Sequence, residues 1–396
     1  MENMRILIIN EHKYGGGTEQ CVRKIRDILT LHGHDVCLLY MSGVHQDALD
    51  EKEFLLHPKW GIIDKLFYNP FLASRLRKLL KKIKPDVILL NNIFSAPITV
   101  LHELDGYVVL HMVRDYAAVC PKSTCITDSG EVCSGFELKK CLYECKYHNS
   151  KIKLFIKLLL TKRIDGLRMR YVHKSLPPSR ALSEYLIQYG HRSSPLNDPS
   201  EYGECPEKCM SDDYHKYIYL GAVNDNKGVY DLVQAFKLAS FSRKCELHIY
   251  GHPATNYDYM KITSLIKSCD RIFYHGSIPH EEVQSVLKDA YALIVPSKWL
   301  ENYPGTCLEG MANKLLVIAS DRGGMKEQLA DGRGIIFRFG VDELVDALYK
   351  AEALPASDYR KITERAYKYV LQNNSYLRYY QRLMSEINQV ISTVHI

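Results

Sequence analysis

The sequence predicts two α/β domains, each a parallel sheet flanked by helices. Three observations carry this reading. The chain has 396 residues, more than a single hydrophobic core ordinarily serves. Its apolar runs are short, continuous and separated by helical patterns, as expected of strands buried on both faces. The pattern also halts in a turn-rich stretch, residues 196–213, and then begins again. With 46% hydrophobic and 25% charged residues, the composition is that of a globular protein. No apolar run reaches the roughly 18 residues of a membrane span, since the best, Leu154 to Leu160, is interrupted by Lys157. Met4-Arg5 leads straight into a strand pattern without signal-peptide features, so a cytoplasmic protein is expected.

Met4 to Asn10 is the first buried strand. It runs into Gly15, Gly16 and Gly17 and then into a helical pattern from Gln20 to His32. A strand, a glycine loop and a helix together let a phosphate or sugar approach the backbone closely. Val36 to Tyr40 is the second strand, and a helix from Phe71 to Ile83 stops ahead of Pro85. Asp86 to Leu90 and Val108 to Met112 follow as strands, and the strand–helix alternation makes the sheet parallel. Arg114 and Asp115 lie just past the last of these, at the carboxyl end where open α/β sheets bind ligands. His111, inside that strand, reads as a core histidine.

Five of the twelve cysteines come next, at positions 120, 125, 133, 141 and 145. Their spacing fits a structural zinc on Cys125, Cys133, Cys141 and Cys145, and it also fits reduced thiols or a redox role. Residues 139–174 carry eleven Lys or Arg against Glu144 and Asp165. Ile152, Phe155, Ile156 and Leu159 recur among them at helical spacing. Two settings fit this pattern: an anionic membrane surface met through 151–174, or an amphipathic helix packed inward. No recognition module for nucleic acid accompanies the charge, so no nucleic-acid partner is expected.

After the linker, Tyr217 to Leu220 opens the second domain. A loop holding Lys227 and a helix to Ala239 come next, then strands at Cys245–Tyr250 and Arg271–His275. The densest stretch is 291–320, read as a strand (Tyr291 to Val295), a turn, a helix from about Pro304 and a strand (Leu315 to Ala319). Proline suits the first helical position, where its missing N–H costs nothing. Glu301 and Glu309 bracket that helix start, where unpaired N–H groups bind phosphate and sugar oxygens. Gly334 to Phe337 is the last strand, and Tyr376 to Ile391 a helix returning to the first domain.

Residues 296–312, PSKWLENYPGTCLEGMA, resemble the E-x7-E signature of retaining glycosyltransferases of family 4 (glycosyl transferases group 1), which have the GT-B fold. GGGTE at 15–19, GHDV at 33–36, RDY at 114–116, PSRAL at 178–182, GAVNDNKG at 221–228 and GGMKE at 323–327 are similar to further family motifs, in the same order. The resemblance implies two facing Rossmann-like domains with parallel sheets and a cleft between them. Residues 1–195 would be the acceptor-side domain, with a Cys-rich insertion at 120–148. Residues 196–213 would be the linker, 214–375 the nucleotide-sugar-binding domain and 376–396 a crossover helix.

The implied reaction moves a hexosyl- or N-acetylhexosaminyl-type sugar, with retention, from a UDP- or GDP-linked donor. The acceptor would be a saccharide or lipid-linked saccharide, in cell-surface polysaccharide or glycolipid synthesis at the inner face of the plasma membrane. Glu309 would bind ribose, while Glu301, Asn302, Tyr303, Pro304, Gly305 and Thr306 position sugar and diphosphate. Lys227, Gly16 and Gly17 would face the diphosphate, and Arg114 and Asp115 the reacting centre. No metal or cofactor is required for the chemistry. Two departures stand out: Arg114 replaces the usual histidine, and Ala222 the usual arginine, leaving Lys298 or Arg322 to supply a second cation. These departures keep an alternative open, a non-catalytic GT-B scaffold or membrane-associated binding protein.

Overall fold

The computed structural model describes residues 3–14, 17–41, 49–56, 67–93, 97–127, 129–133, 135, 137–143, 151–200, 202 and 213–394. The chain divides into two compact units, Met1–Pro199 with Tyr376–Ile396, and Ser200–Ser375.

In the first unit, strands β1 (Arg5–Asn10), β2 (Asp35–Tyr40), β3 (Glu53–Leu55), β4 (Val87–Asn91), β5 (Val108–Met112) and β6 (Lys174–Ser175) form one sheet. The order is β3-β2-β1-β4-β5-β6, and every pairing is parallel. Successive strand residues point to opposite faces, so β1 feeds two cores. Ile6 and Ile8 pack with Val22, Ile25 and Leu29 of the helix Gly17–Leu31 and with Tyr379, Leu383 and Ile387 of the helix Tyr376–Val394. Leu7 and Ile9 pack with Leu72, Leu76 and Leu80 of the helix Pro70–Ile83. That helix starts where Asn69 Oδ1 accepts the N–H groups of Phe71 (3.0 Å) and Leu72 (3.2 Å). It ends at Lys84 in the left-handed region, just before Pro85.

The second unit repeats the plan. Strands β7 (Tyr214–Leu220), β8 (Lys244–Tyr250), β9 (Ile272–Gly276), β10 (Ala292–Val295), β11 (Leu316–Ser320) and β12 (Ile335–Phe337) pair in the order β12-β11-β10-β7-β8-β9, all parallel. In both sheets the strand order reverses once, between β1 and β4 and between β7 and β10. Each reversal leaves a crevice beyond the carboxyl ends, where such sheets hold ligands. The periodic strands lie within a few residues of their predicted bounds. The short edge strands β3 and β6 were not predicted, whereas β12, equally short, was.

The helix Lys151–Tyr171 resolves the two settings offered by its pattern into two stripes. Leu154 and Leu158 are buried with Cys141, whereas Ile152, Phe155, Ile156 and Leu159 are exposed. Among the described residues no helix is long and apolar enough to cross a membrane.

Of the cysteines read as zinc ligands, Cys125, Cys133 and Cys141 are buried, and Cys145 lies outside the described residues. Among the described residues no group of three or more His, Cys, Asp or Glu is arranged to hold a metal ion. The sulfurs have other partners: Cys125 hydrogen-bonds Cys120, and Cys133 Sγ donates to the Gly135 carbonyl at 3.3 Å. The Cys125 thiol, with the N–H groups of Cys125, Lys122 and Thr124, lowers the Cys120 pKa to about 6 against the opposing effect of burial. Because the thiolate is the nucleophile, Cys120 alkylation by iodoacetamide should rise through a midpoint near pH 6 as the pH increases. Mass spectrometry of peptides alkylated at graded pH checks this. Cys125→Ala should move the midpoint toward the ordinary thiol value of about 8.5, and a wild-type midpoint already there would refute the assignment.

Candidate functional site

A cavity of about 380 Å3 lies in the second unit, where its strand order reverses. Leu220, the last residue of β7, with Gly221 after it, and Pro296 and Ser297, following β10, line one part of it. Lys227, Glu301, Thr306 and Glu309 line another. The loop of Lys227 is a single 3-10 turn, Asp225–Lys227, in which Asn224 Oδ1 accepts the Lys227 N–H at 3.0 Å. Gly228 closes it with a φ of 71°. A Cβ there would stand 1.9 Å from the Pro296 carbonyl oxygen, so glycine lets this loop press against the turn after β10.

Glu301 is the focus of the geometry. Its Oε1 accepts from Lys227 Nζ (2.6 Å), Ser297 Oγ (2.6 Å) and Trp299 Nε1 (2.7 Å). The Lys227 ammonium also lies 4.8 Å from the centre of the Trp299 ring. Oε2 takes no hydrogen bond among the described residues. The backbone is fixed as well, because the Gly324 N–H donates to the Glu301 carbonyl at 2.7 Å. At Gly323, with a φ of 61°, a Cβ would meet that same carbonyl at 2.1 Å. The Gly-Gly turn after β11 therefore clamps the loop that presents the carboxylate.

The helix Gly305–Ala312 begins beside this carboxylate. Pro304 sits at its N-cap in an extended conformation, one position earlier than predicted, and no side chain caps the turn. In its first turn the Cys307 N–H donates to the Pro304 carbonyl at 3.2 Å, and the N–H groups of Gly305 and Thr306, which precede the first i→i−4 bond, form an anion-binding end. Thr306 and Glu309 of this helix line the cavity. Tyr303 does not. Its side chain is buried in an apolar cluster with Met325 and Leu329, and its hydroxyl approaches Tyr369 and Asn374, each at 3.4 Å.

Of the two residues named as substitutes for the missing arginine, Lys298 is engaged by Asp225 (3.0 Å) and Asp231 (2.9 Å). Burial opposes its charge, but those two carboxylates raise its pKa on balance. Arg322 is buried, lies 4.9 Å from the Phe339 ring centre, and its Nε has no hydrogen-bond partner among the described residues.

In the first unit, Gly15 and Gly16 fall outside the described residues, and Gly17 opens the first helix. Arg114 is buried and ion-paired with Asp198, and its Nε donates to Asn91 Oδ1 at 2.9 Å. Asn91 in turn donates to Asn10 Oδ1 at 2.7 Å, which ties together the ends of β1 and β4. Burial opposes the Arg114 charge, and Asp198 more than restores it. Asp115 caps the short 3-10 helix Tyr116–Ala118 by accepting the Ala117 N–H at 2.8 Å, and burial pushes its carboxyl pKa up. His111 is buried, and burial drives its pKa well down, so it stays neutral as a core residue. Sequence reading did not single out Ser297 or Trp299. The signal was their spacing, four and two residues before Glu301.

Residues 207–369 match the family model of the glycosyl transferases group 1. An alpha-D-kanosaminyltransferase of Streptomyces kanamyceticus is 28% identical over 148 residues, 37% of this chain and 38% of that protein. The match thus spans well under half of that relative's length. Among solved structures, Anabaena Alr3699/HepE in complex with UDP matches with a TM-score of 0.72 and 15% identity, over 98% of this chain and 100% of that one. Sucrose-phosphate synthase from Thermosynechococcus elongatus matches with a TM-score of 0.70 and 16% identity, over 98% and 99%. Residues 207–369 are thus similar to the glycosyl transferases group 1, and the two parallel-sheet units have the GT-B fold of the matched structures.

Proposed function

We propose that the protein is a retaining glycosyltransferase whose second unit binds the nucleotide-sugar donor. The observation that carries this reading is the Glu301 carboxylate, held through Oε1 by three donors with Oε2 left to accept a sugar hydroxyl. A carboxylate fixed beside an uncapped helix start suits a ligand that joins a polyhydroxyl ring to a diphosphate. The complexes of HepE with UDP and with UDP-glucose support a uridine nucleotide as the first donor to try.

In this reading the diphosphate rests on the N–H groups of the helix Gly305–Ala312, and the ribose hydroxyls on Glu309. Lys227 leaves Glu301 for the diphosphate, and Arg322 supplies the cation that Ala222 lacks. The anomeric carbon–oxygen bond to phosphate breaks, the acceptor oxygen bonds to that carbon from the same face, and its proton passes to the departing diphosphate. Lys227 and the helix terminus stabilise the negative charge that develops there. The chemistry then needs no carboxylate pair at glycosidase spacing.

The acceptor proposed is a saccharide or lipid-linked saccharide in cell-surface polysaccharide or glycolipid synthesis. The second apolar stripe of the helix Lys151–Tyr171 supports a membrane-side location on the cytoplasmic face. Ile152, Ile156 and Leu159 are exposed there beside exposed Lys162 and Arg163, a combination suited to an anionic lipid surface.

Three outcomes are expected. Thermal unfolding across UDP-, GDP-, ADP- and dTDP-sugars should show one responding donor, with about 2.7 kcal/mol of stabilisation at ~100 times its Kd. Glu309→Ala should lose the response, and a retained response would remove Glu309 from the donor site. Trp299→Phe keeps an aromatic ring but deletes one donor to Glu301. Steady-state kinetics should show kcat/KM down about tenfold, near 1.4 kcal/mol, at unchanged melting temperature; unchanged kinetics would make Trp299 a bystander. The protein should sediment with vesicles containing phosphatidylglycerol and not with pure phosphatidylcholine, and Ile156→Glu should abolish this; equal binding of the variant would exclude the stripe.

A further inference from the structure

A second cavity, of about 290 Å3, lies wholly within the first unit. Ile93, after β4, and Ala117 and Cys120, after β5, form one wall; Lys157, Thr161 and Arg168 of the helix Lys151–Tyr171 form the other. Arg168 is only 7% exposed. Its one hydrogen bond among the described residues is from Nη2 to the Ile93 carbonyl, at a long 3.4 Å, and it forms no ion pair there. Asp165 and Asp115 act on it only electrostatically. Asp165 is engaged by His191 at 2.8 Å, and Asp115 by the Ala117 N–H. The Cys120 sulfur already accepts three backbone N–H groups and the Cys125 thiol. Thr161 Oγ1 donates to the Lys157 carbonyl at 2.9 Å.

A guanidinium keeps its proton at any ordinary pH, so burial cannot be relieved by neutralisation. Leaving such a charge without a counter-ion is costly, and the natural counter-ion is one that takes two parallel N–H bonds. The half-buried Lys157 adds a second cation to the same cavity. We propose that this cavity binds the phosphate of the acceptor, a phosphate monoester or diphosphate, through Arg168 and Lys157. The proposal rests on the reading of the first unit as the acceptor side, and it makes the acceptor an anion.

Pyrophosphate binding, measured by titration calorimetry on the full chain, tests this separately from donor binding. Wild type should bind pyrophosphate, with affinity falling as salt is raised. Arg168→Met and Lys157→Gln should each weaken binding at least tenfold, whereas Lys227→Gln, in the second unit, should leave this binding in place. Without ligand, Arg168→Met should melt no lower than wild type, because it removes a buried charge that has no carboxylate within ion-pair distance among the described residues. If Arg168→Met fails to fold, the buried cation is structural and the proposal is overturned, unless Lys157→Gln still shows the tenfold loss. Absence of pyrophosphate binding, or binding lost only in Lys227→Gln, also overturns it, the latter by placing the anion at the donor site. Geranyl diphosphate and glucose 1-phosphate then separate the sources: tighter binding of the first assigns a lipid-linked acceptor, of the second a soluble sugar phosphate. Failure of both to compete with pyrophosphate would overturn the acceptor assignment. Failure of the nucleotide-sugar panel alone would leave this pocket standing and remove only the donor reading.

Discussion

The Glu301 carboxylate is the constraint on which the second unit's site depends. Three donors converge on one oxygen: Lys227 comes from the turn after β7, and Ser297 and Trp299 from the same loop after β10 that carries Glu301. Hydrogen bonds to a charged acceptor contribute about 1.5–3 kcal/mol each, so this loop is held in one arrangement before any ligand arrives. The glycines at 228 and 323 make that convergence possible, since each occupies a point where a side chain would collide with a backbone carbonyl. Preorganisation of this kind is what a site needs if binding energy is to go to the ligand and not to ordering the loop.

Much of this was legible in the chain. Both sheets were readable because continuous apolar runs such as Ile6 to Ile9 and Ala292 to Val295 can be satisfied only when both faces are covered. Glu301, Glu309 and Lys227 were found by their place in a string, and all three line one cavity. What could not be read was direction. Tyr303 sits between Asn302 and Pro304 in the motif, yet its ring turns into the core against Met325 and Leu329, because an aromatic side chain gains more from burial there. Spacing alone says nothing about which way a loop side chain points.

The first unit teaches the same lesson through charge. Arg114 occupies the motif position that drew attention to it, but Asp198, more than eighty residues away, neutralises it and turns it into a tie between β1 and β4. Arg168 carried no motif at all, only membership of a basic helix, and it is buried without an ion pair among the described residues. No local pattern distinguishes the two. A long-range partner decides whether a cation is structural or awaits a ligand. The same helix shows why composition left two settings open, since it has one apolar stripe to bury and another to expose.

The most direct test of the account is a crystal structure of the protein grown with UDP. The account predicts density for the diphosphate at the start of the helix Gly305–Ala312, ribose on Glu309, and Lys227 Nζ moved from its 2.6 Å contact with Glu301 onto a phosphate oxygen. Nucleotide bound elsewhere, or an empty site with the Lys227–Glu301 pair intact at saturating UDP, would contradict it.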